Sequence, residues 1–281
     1  MTRVPLPESF LRLPIAHRAL HDRAAGRIEN SASAIKAAVA AGYGIEVDLQ
    51  LSQDGVAMIF HDDDLDRLTA ETGPVGARTA AELGRIRLKG STDTIPTLAE
   101  ALALIGGRVP LLIEIKDQSL TMGPTDGKLE AATAQALEGY TGDVALMSFN
   151  PASVAHLARL APHLPRGITT SAYDPADWSP VPADRCAHLR TIPDYDATLS
   201  SFISHEAPDL SRPRVAELKA QGAKVLCWTI RSALAEAEAR KVADNVTFEG
   251  YAATRPARRQ RTARHFPFCT YPAGLWGCKT P

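Results

Sequence analysis

Short runs of apolar residues alternate with alanine-rich segments along most of the chain. The apolar runs predict eight strands, at Leu13–His17, Gly44–Leu49, Pro110–Ile115, Asp143–Met147, Arg166–Thr170, Leu199–Ser204, Ala223–Ile230 and Asn245–Glu249. Helix-favouring sequence lies between them, at Ser31–Ala41, Leu98–Leu104, Lys128–Leu137, Pro151–Leu160, Arg212–Gln221 and Ser232–Lys241. This alternation is typical of parallel strands joined by helical crossovers. We therefore expect an α/β fold, a TIM (β/α)8 barrel spanning residues 13–254.

Three segments depart from this alternation. Residues 1–12 form an N-terminal extension before the first strand. Residues 62–94 follow a short additional strand at Val56–His61 and are rich in charge, glycine and threonine, so we expect a short inserted loop or lid after the second strand. Residues 255–281 begin with five arginines in ten residues and continue without helix or strand periodicity. We expect a basic, poorly ordered C-terminal tail.

Length and charge limit the class of partner. The chain has 281 residues and a formal net charge of -1, and barrels of roughly 250 residues commonly fold as one unit. A net charge near zero gives no general attraction to nucleic acid or to an anionic membrane. The arginine-rich tail could bind nucleic acid, but no recognisable binding module accompanies it. We therefore expect small-molecule partners and no nucleic acid, and the oligomeric state stays open.

The cysteines and the apolar segments bear on the cellular compartment. The four cysteines are widely spaced and form no CxxC pair, which favours free thiols in a reducing compartment over a zinc site. The first 13 residues contain no apolar core of a signal peptide, and no stretch reaches the roughly 20 apolar residues of a membrane span. We therefore expect a cytoplasmic protein without a membrane span.

Carboxylates at the predicted strand ends suggest a metal site. Glu46 and Asp48 are two residues apart in an apolar strand, so both side chains leave the same face. Glu114 supplies a third carboxylate near the end of the next barrel strand. Like charges this close repel unless a cation lies between them, and oxygen ligands suit a hard divalent ion. We expect one such ion, Mg²⁺ first and Ca²⁺ as the alternative, while Lys116 can either neutralise the carboxylates or contact a phosphate.

Two histidines lie at the same predicted rim. His17 ends the first strand and His61 ends the short additional strand, and histidine transfers protons near neutral pH. The carboxyl ends of barrel strands form the catalytic face. An isolated His17 would more often be structural, but its company with Arg18, Glu46 and Asp48 favours a functional role.

Several motifs in one order give the chain a family resemblance. The segments Ile15–Arg18, Glu29-Asn30, Ile45–Asp48, His61-Asp62, Ile95–Glu100 and Leu112–Lys116 follow one another along the sequence. Read together, they resemble the glycerophosphodiester phosphodiesterase family of TIM barrels, from about Pro14 to about Gly250. Two positions depart from the family motif: Ala19 stands where the motif has glycine, and Ile28 where it has proline.

The resemblance implies an activity and a set of roles. It implies metal-dependent hydrolysis of a glycerophosphodiester to glycerol 3-phosphate and an alcohol such as choline, ethanolamine or glycerol. The implied roles are acid and base for His17 and His61, phosphate contact for Arg18 and Lys116, orientation for Glu29 and Asn30, and metal binding for Glu46, Asp48 and Glu114. Trp228 resembles an aromatic residue that borders the substrate, and His205, after the predicted strand at Leu199–Ser204, is a further candidate for substrate contact.

Two other functions remain open from sequence. A cyclising or phospholipase-D-like phosphodiesterase on the same barrel would use the same groups and differ in one step. A barrel that only binds phosphorylated metabolites is the third possibility, since a fold alone does not guarantee activity. The presence of both His17 and His61 argues against a binding-only protein.

Overall fold

The computed structural model describes residues 2–255. Almost all of the predicted tail, with Cys269 and Cys278, lies outside these residues. The described part contains nine strands, β1 (Ile15–Ala16), β2 (Gly44–Leu51), β3 (Ala57–Ile59), β4 (Leu111–Ile115), β5 (Val144–Ser148), β6 (Arg166–Thr170), β7 (Phe202–Glu206), β8 (Lys224–Ile230) and β9 (Asn245–Phe248).

Eight of these strands close into a parallel barrel. Parallel pairing runs from β1 through β9, β8, β7, β6, β5 and β4 to β2, and β2 pairs with β1 to close the ring. The short β3 pairs antiparallel with the end of β2 and lies outside the ring. The predicted TIM barrel is therefore confirmed. The sixth barrel strand, β7, begins and ends later in the sequence than the predicted strand at Leu199–Ser204.

The described α-helices comprise one before β1 and eight in the connections between the strands. They are α1 (Ser9–Arg12), α2 (Ala32–Ala41), α3 (Ala80–Leu83), α4 (Leu98–Ile105), α5 (Lys128–Ala136), α6 (Pro151–Leu160), α7 (Ala183–Arg190), α8 (Pro213–Ala220) and α9 (Ala233–Ala239). Asn150 caps α6 by accepting a hydrogen bond from the Ala152 amide, directly before a first-turn proline. Among residues 2–255, no helix combines the length and the apolar character that a membrane span requires.

The side chains of β2 face two different environments, the apolar layer under the helices and the barrel interior. In β2, Ile45, Val47 and Leu49 belong to the large apolar cluster that includes residues of α2 and α4, whereas Glu46 and Asp48 take the opposite face. Because side chains alternate across a strand, this apolar packing on the outer face directs both carboxylates into the barrel interior.

The amino-terminal helix closes the lower end of the barrel. Phe10 of α1 is fully buried, and it belongs to an apolar cluster with interior residues of five barrel strands, including Ile15, Leu112 and Phe202. The residues before the first strand are thus part of the packed core. The polar interior residues lie above this layer, towards the carboxyl ends of the strands.

The inserted residues 62–94 form a small unit with its own core. They contain α3, a short 3-10 turn at Val75–Ala77 and isolated bridges such as Thr69 to Leu88. An apolar cluster under them includes Leu65, Leu83 and also Ile28. Ile28, which replaces the motif proline, therefore contributes to the contact between this segment and the loop after β1.

Candidate active site

Three carboxylates converge inside the upper barrel. Asp48 of β2 pairs in register with Glu114 of β4, and Glu46 lies two residues before Asp48 on the same face. One oxygen of each carboxylate lies within 4.8 Å of the others, and all three residues are buried. The structure thus brings together Glu46, Asp48 and Glu114 as the sequence predicts.

The charges of this cluster are incompletely balanced by protein. The Lys116 ammonium lies 2.7 Å from Asp48 and 2.5 Å from Glu114. Burial would raise the pKa of Asp48, but Lys116, His61 and Arg18 hold it well below its usual range. Burial, reinforced by repulsion from the other two carboxylates, raises the pKa of Glu46 well above its usual range.

A divalent cation fits this donor set. Buried oxygen ligands within a few ångströms of one another are the ligands that Mg²⁺ and Ca²⁺ prefer. Burial, and then repulsion from Asp48 and Glu114, disfavour the charged form of Glu46, and Lys116 offsets these effects only in part. An added cation would remove this repulsion, so the residues present suit the group that the sequence implies.

The loop after β1 places Arg18 beside the carboxylates. Its backbone amide donates to Glu46 Oε2 at 2.7 Å, and its guanidinium Nη1 donates to Glu29 Oε1 at 2.7 Å. The guanidinium Nε is buried and forms an ion pair with Asp48, 3.6 Å from its Oδ2. Arg18 also lines the barrel mouth, where it places a positive charge beside the carboxylates.

The same loop shows why the family motif has glycine at the position that Ala19 takes in this chain. Ala19 adopts φ 64°, in the left-handed region, and its amide donates to the Glu46 carbonyl oxygen at 2.9 Å. That conformation costs a residue with a Cβ roughly 1–2 kcal/mol and costs glycine nothing comparable. The backbone thus keeps a conformation that favours glycine, although the residue is alanine.

Glu29 and Asn30 contact the site residues and do not line the cavity themselves. Asn30 is buried and donates from Nδ2 to Asp48 Oδ2 at 2.9 Å, while its Oδ1 accepts from the Asp48 amide at 3.3 Å. Glu29 accepts from Arg18 and from Arg67 of the inserted segment, both at 2.7 Å. These contacts fix the orientation of Asp48 and Arg18.

His17 is held by an acid that the sequence did not single out. Its Nδ1 lies 2.6 Å from Oε2 of Glu249, the residue directly after β9. His21 Nε2 lies 3.4 Å from the same oxygen, and Arg231 Nε donates to the other carboxylate oxygen at 2.8 Å. Burial lowers the pKa of His17. Interaction with His17, and to a smaller extent with His21, holds the pKa of Glu249 well below its usual range.

His61 is held in a similar way. Its Nδ1 lies 2.7 Å from Asp62 Oδ1, and Asp62 accepts from Arg67 Nε at 2.6 Å. Arg67 also donates to Glu29, so one guanidinium links the loop after β1 to the loop after β3. In both histidines a carboxylate holds Nδ1, which leaves Nε2 as the nitrogen available to a reactant.

These groups line one cavity of about 170 Å³ at the barrel mouth. Its polar wall is formed by His17, Arg18, His61, Lys116 and the three carboxylates, and its other wall includes Met147, Phe149, Trp228 and Thr229. The indole Nε1 of Trp228 donates to the Ser204 carbonyl oxygen at 3.0 Å, which fixes the ring. None of residues 62–94 lines this cavity, so the inserted segment acts on it through the contacts of Asp62 and Arg67.

His205 does not join this site, contrary to the sequence prediction. It is fully buried, its Nδ1 lies 2.8 Å from the Thr170 hydroxyl, and its Nε2 lies 3.2 Å from Asp209 Oδ2. The reason is that β7 continues to Glu206, so His205 lies within the strand. Because side chains alternate across a strand, His205 points away from the cavity that Ser204 lines. Substrate contact by His205 is therefore withdrawn.

Sequence reasoning also missed three contributors: Glu249, Arg231 and Arg67. Glu249 follows the last strand, and that position at the catalytic face is the signal that could have marked it. Arg231 follows β8 in the same way. Arg67 lies inside the inserted segment, where no strand periodicity marks a position.

The carboxylates, histidines and arginine lie at the carboxyl-terminal mouth of a TIM barrel, where enzymes of this fold have their active sites. The site is therefore of the barrel-enzyme class, and its cationic groups suit an anionic substrate. The model of the glycerophosphoryl diester phosphodiesterase family matches residues 17–249, which include every residue discussed at this site. The chain belongs to that family.

Individual relatives agree with this membership. The glycerophosphodiester phosphodiesterase of Caldanaerobacter subterraneus is 34% identical over 150 residues, which cover 50% of this chain and only 60% of that protein's length. A phosphodiesterase from Oleispira antarctica, solved in complex with the product sn-glycerol-3-phosphate, has 26% identity and a TM-score of 0.69, covering 86% of this chain and 94% of that one. A Thermotoga maritima structure with 18% identity and a TM-score of 0.62, covering 84% of this chain and 94% of that one, shares the fold.

Proposed function

We propose that the protein hydrolyses glycerophosphodiesters to glycerol 3-phosphate and an alcohol, with one divalent cation. The observation that carries the proposal is the cluster of Glu46, Asp48 and Glu114 within 4.8 Å, in a cavity that both His17 and His61 line. The product named for the Oleispira antarctica relative supports the substrate class. Mg²⁺ is the expected ion and Ca²⁺ the alternative.

The three carboxylates would hold the cation. A bound cation would supply Lewis-acid stabilisation of the charge that develops on the phosphate. Arg18 lines the same cavity and would contact an anionic oxygen of the diester. Lys116 lines the same cavity and adds a second positive charge near the phosphate.

Proton transfer is assigned to the two histidines. Burial lowers the pKa of His17, which favours the neutral ring that can accept a proton from the attacking water. Glu249 stabilises the ring once it is protonated. His61 then donates to the leaving alcohol, while Asp62 holds its ring in place.

Phosphorus NMR of the products tests the proposal and separates its rivals. With Mg²⁺ present, hydrolysis of glycerophosphoglycerol should give one monoester resonance of glycerol 3-phosphate from the first time point. Attack by a substrate hydroxyl would instead give a cyclic phosphate. Absence of any turnover across a panel of diesters would support a binding-only barrel and contradict the proposal.

We propose a cytoplasmic location as well. Its support is that Cys186 and Cys227 are free thiols buried in the described part of the chain, which agrees with a reducing compartment. Alkylation of the denatured protein from intact cells would show reduced cysteines, whereas an oxidised population would contradict the location.

A further inference from the structure

A second depression opens directly beside the catalytic cavity. It has a volume of about 400 Å³ and shares four lining residues with the cavity: His61, Glu114, Lys116 and Phe149. We call it the acidic groove; the loops after β3, β4, β5 and β6 form it. Because the two depressions share a wall, the groove lies within reach of one ester arm of a diester whose phosphate occupies the cavity.

Negative charge dominates the acidic groove. Five carboxylates and one lysine line it; Asp62 is paired with Arg67 and Glu114 with Lys116, while Asp63, Asp117 and Asp177 have no cationic partner among residues 2–255. The lysine, Lys116, already contacts Asp48 and Glu114. Asp177 is exposed, and within residues 2–255 it forms no side-chain hydrogen bond or ion pair. The groove therefore attracts a positive group and disfavours an anionic one.

An aromatic wall faces these acids. The rings of Phe149 and Trp178 are 5.0 Å apart, and Tyr173 supports Trp178 from behind at 4.6 Å. Leu120, which is 50% exposed, and Met122 complete an apolar lining. A weakly hydrated, alkylated ammonium gains from aromatic faces and apolar neighbours, while a small hydrated metal ion does not.

We propose that the acidic groove selects diesters whose alcohol arm carries an alkylated ammonium group, with Asp177 and Trp178 as the residues that determine this specificity. The inference rests on the proposed phosphodiesterase function and names its substrate class. The uncharged glycerol arm then lies at the opposite end of the cavity, near Thr229 and Arg231.

A separate basic cavity provides the contrasting prediction. It has a volume of about 230 Å³, and Arg23, Arg27, Arg67 and Lys89 line it beside Glu29. It shares no lining residue with the catalytic cavity. If the alcohol arm of the natural substrate were negatively charged, this basic cavity, rather than the acidic groove, would determine the substrate preference.

The experiment compares three esters of sn-glycerol 3-phosphate. One carries choline, one the uncharged carbon isostere 3,3-dimethylbutanol, and one an alcohol with a carboxylate. We expect the choline ester to exceed the isostere in kcat/KM by roughly tenfold, mainly through KM. Asp177→Asn and Trp178→Leu should each reduce this ratio below about threefold and leave the isostere within about twofold. Arg23→Gln, in the basic cavity, is the matched control and should leave the ratio unchanged.

The outcomes separate the two levels of the account. Because Asp177 is exposed, its variant tests the charge without a risk to folding, and a thermal melt checks Trp178→Leu. Equal kcat/KM for all three esters, or a preference for the carboxylate ester that Arg23→Gln abolishes, would overturn the inference and leave the phosphodiesterase function standing. Hydrolysis of none of the three with Mg²⁺ present would overturn that function, and the inference with it.

Discussion

Replacing Glu249 by glutamine should slow turnover and change its pH dependence. The carboxylate lies 2.6 Å from His17 Nδ1, with side-chain exposures of 19% and 14%. A hydrogen bond to a charged group contributes about 1.5–3 kcal/mol. If this contribution is realised when His17 becomes protonated in the transition state, its loss lowers kcat by about 10- to 150-fold, since 1.36 kcal/mol is tenfold in rate.

The pH profile identifies the role of His17. Burial lowers the pKa of His17, and Glu249 opposes that effect. Removing the negative charge should therefore lower the pKa of His17 further. If His17 is the base, the acid limb of kcat/KM moves to lower pH; if it is the acid, the basic limb moves to lower pH.

The assay is a pH series of kcat/KM for wild type, Glu249→Gln and a control. Glu236→Gln removes a comparably buried carboxylate whose partners, Arg240 and Tyr251, lie outside the cavity. We expect the control to stay within about twofold of wild type. Rates within twofold and unmoved limbs for Glu249→Gln would refute the assignment of His17 as a proton-transfer group held by Glu249.

Three further changes probe the barrel and the site. Phe10→Ala should lower the free energy of unfolding by about 3–5 kcal/mol because the ring is fully buried. Tm should fall by roughly 6–20 °C with an unchanged kcat at 25 °C, and a calorimetric Tm within 2 °C of wild type would contradict this. His205→Gln should lower Tm but keep kcat/KM within about twofold, and a loss above roughly tenfold would return His205 to the site. Asn30→Ala should weaken Mg²⁺ affinity by roughly 10- to 100-fold in calorimetric titration, because Asp48 loses its orienting donor, and an unchanged affinity would exclude that role.

The acidic cluster could be predicted because it depends on local periodicity. Glu46 and Asp48 share a face by the two-residue repeat of a strand, and their direction follows from the apolar residues between them. The pairing of Asp48 with Glu114 follows once both strands are placed in one barrel. Strand phase and neighbouring motifs together therefore specify this part of the site.

Other features depend on exact element ends or on tertiary contacts. A strand end misplaced by two residues was enough to bring His205 to the rim in the prediction, whereas β7 runs through it. His21, which no sequence motif singled out, lies 3.4 Å from Glu249, and this contact depends on the path of the loop after β1. The helix Ala183–Arg190 escaped prediction because its charged sequence has little apolar periodicity.

The position of Arg67 also requires the folded structure. Its contacts with Glu29 and Asp62 depend on the fold of the inserted segment, which packs around its own apolar cluster. No repeat in the sequence relates residue 67 to residues 29 and 62. Such contacts follow from three-dimensional packing and cannot be read from spacing.

Calorimetric titration of chelated protein with Mg²⁺, with turnover measured on the same samples, tests the central claim most directly. Glu46→Gln, which removes the carboxylate with the raised pKa and keeps its shape, serves as the matched variant. The account predicts one bound ion per chain, turnover that rises with occupancy, and a parallel loss of both in the variant. Full turnover by chelated protein with the ion confirmed absent, or binding that Glu46→Gln leaves unchanged, would contradict it.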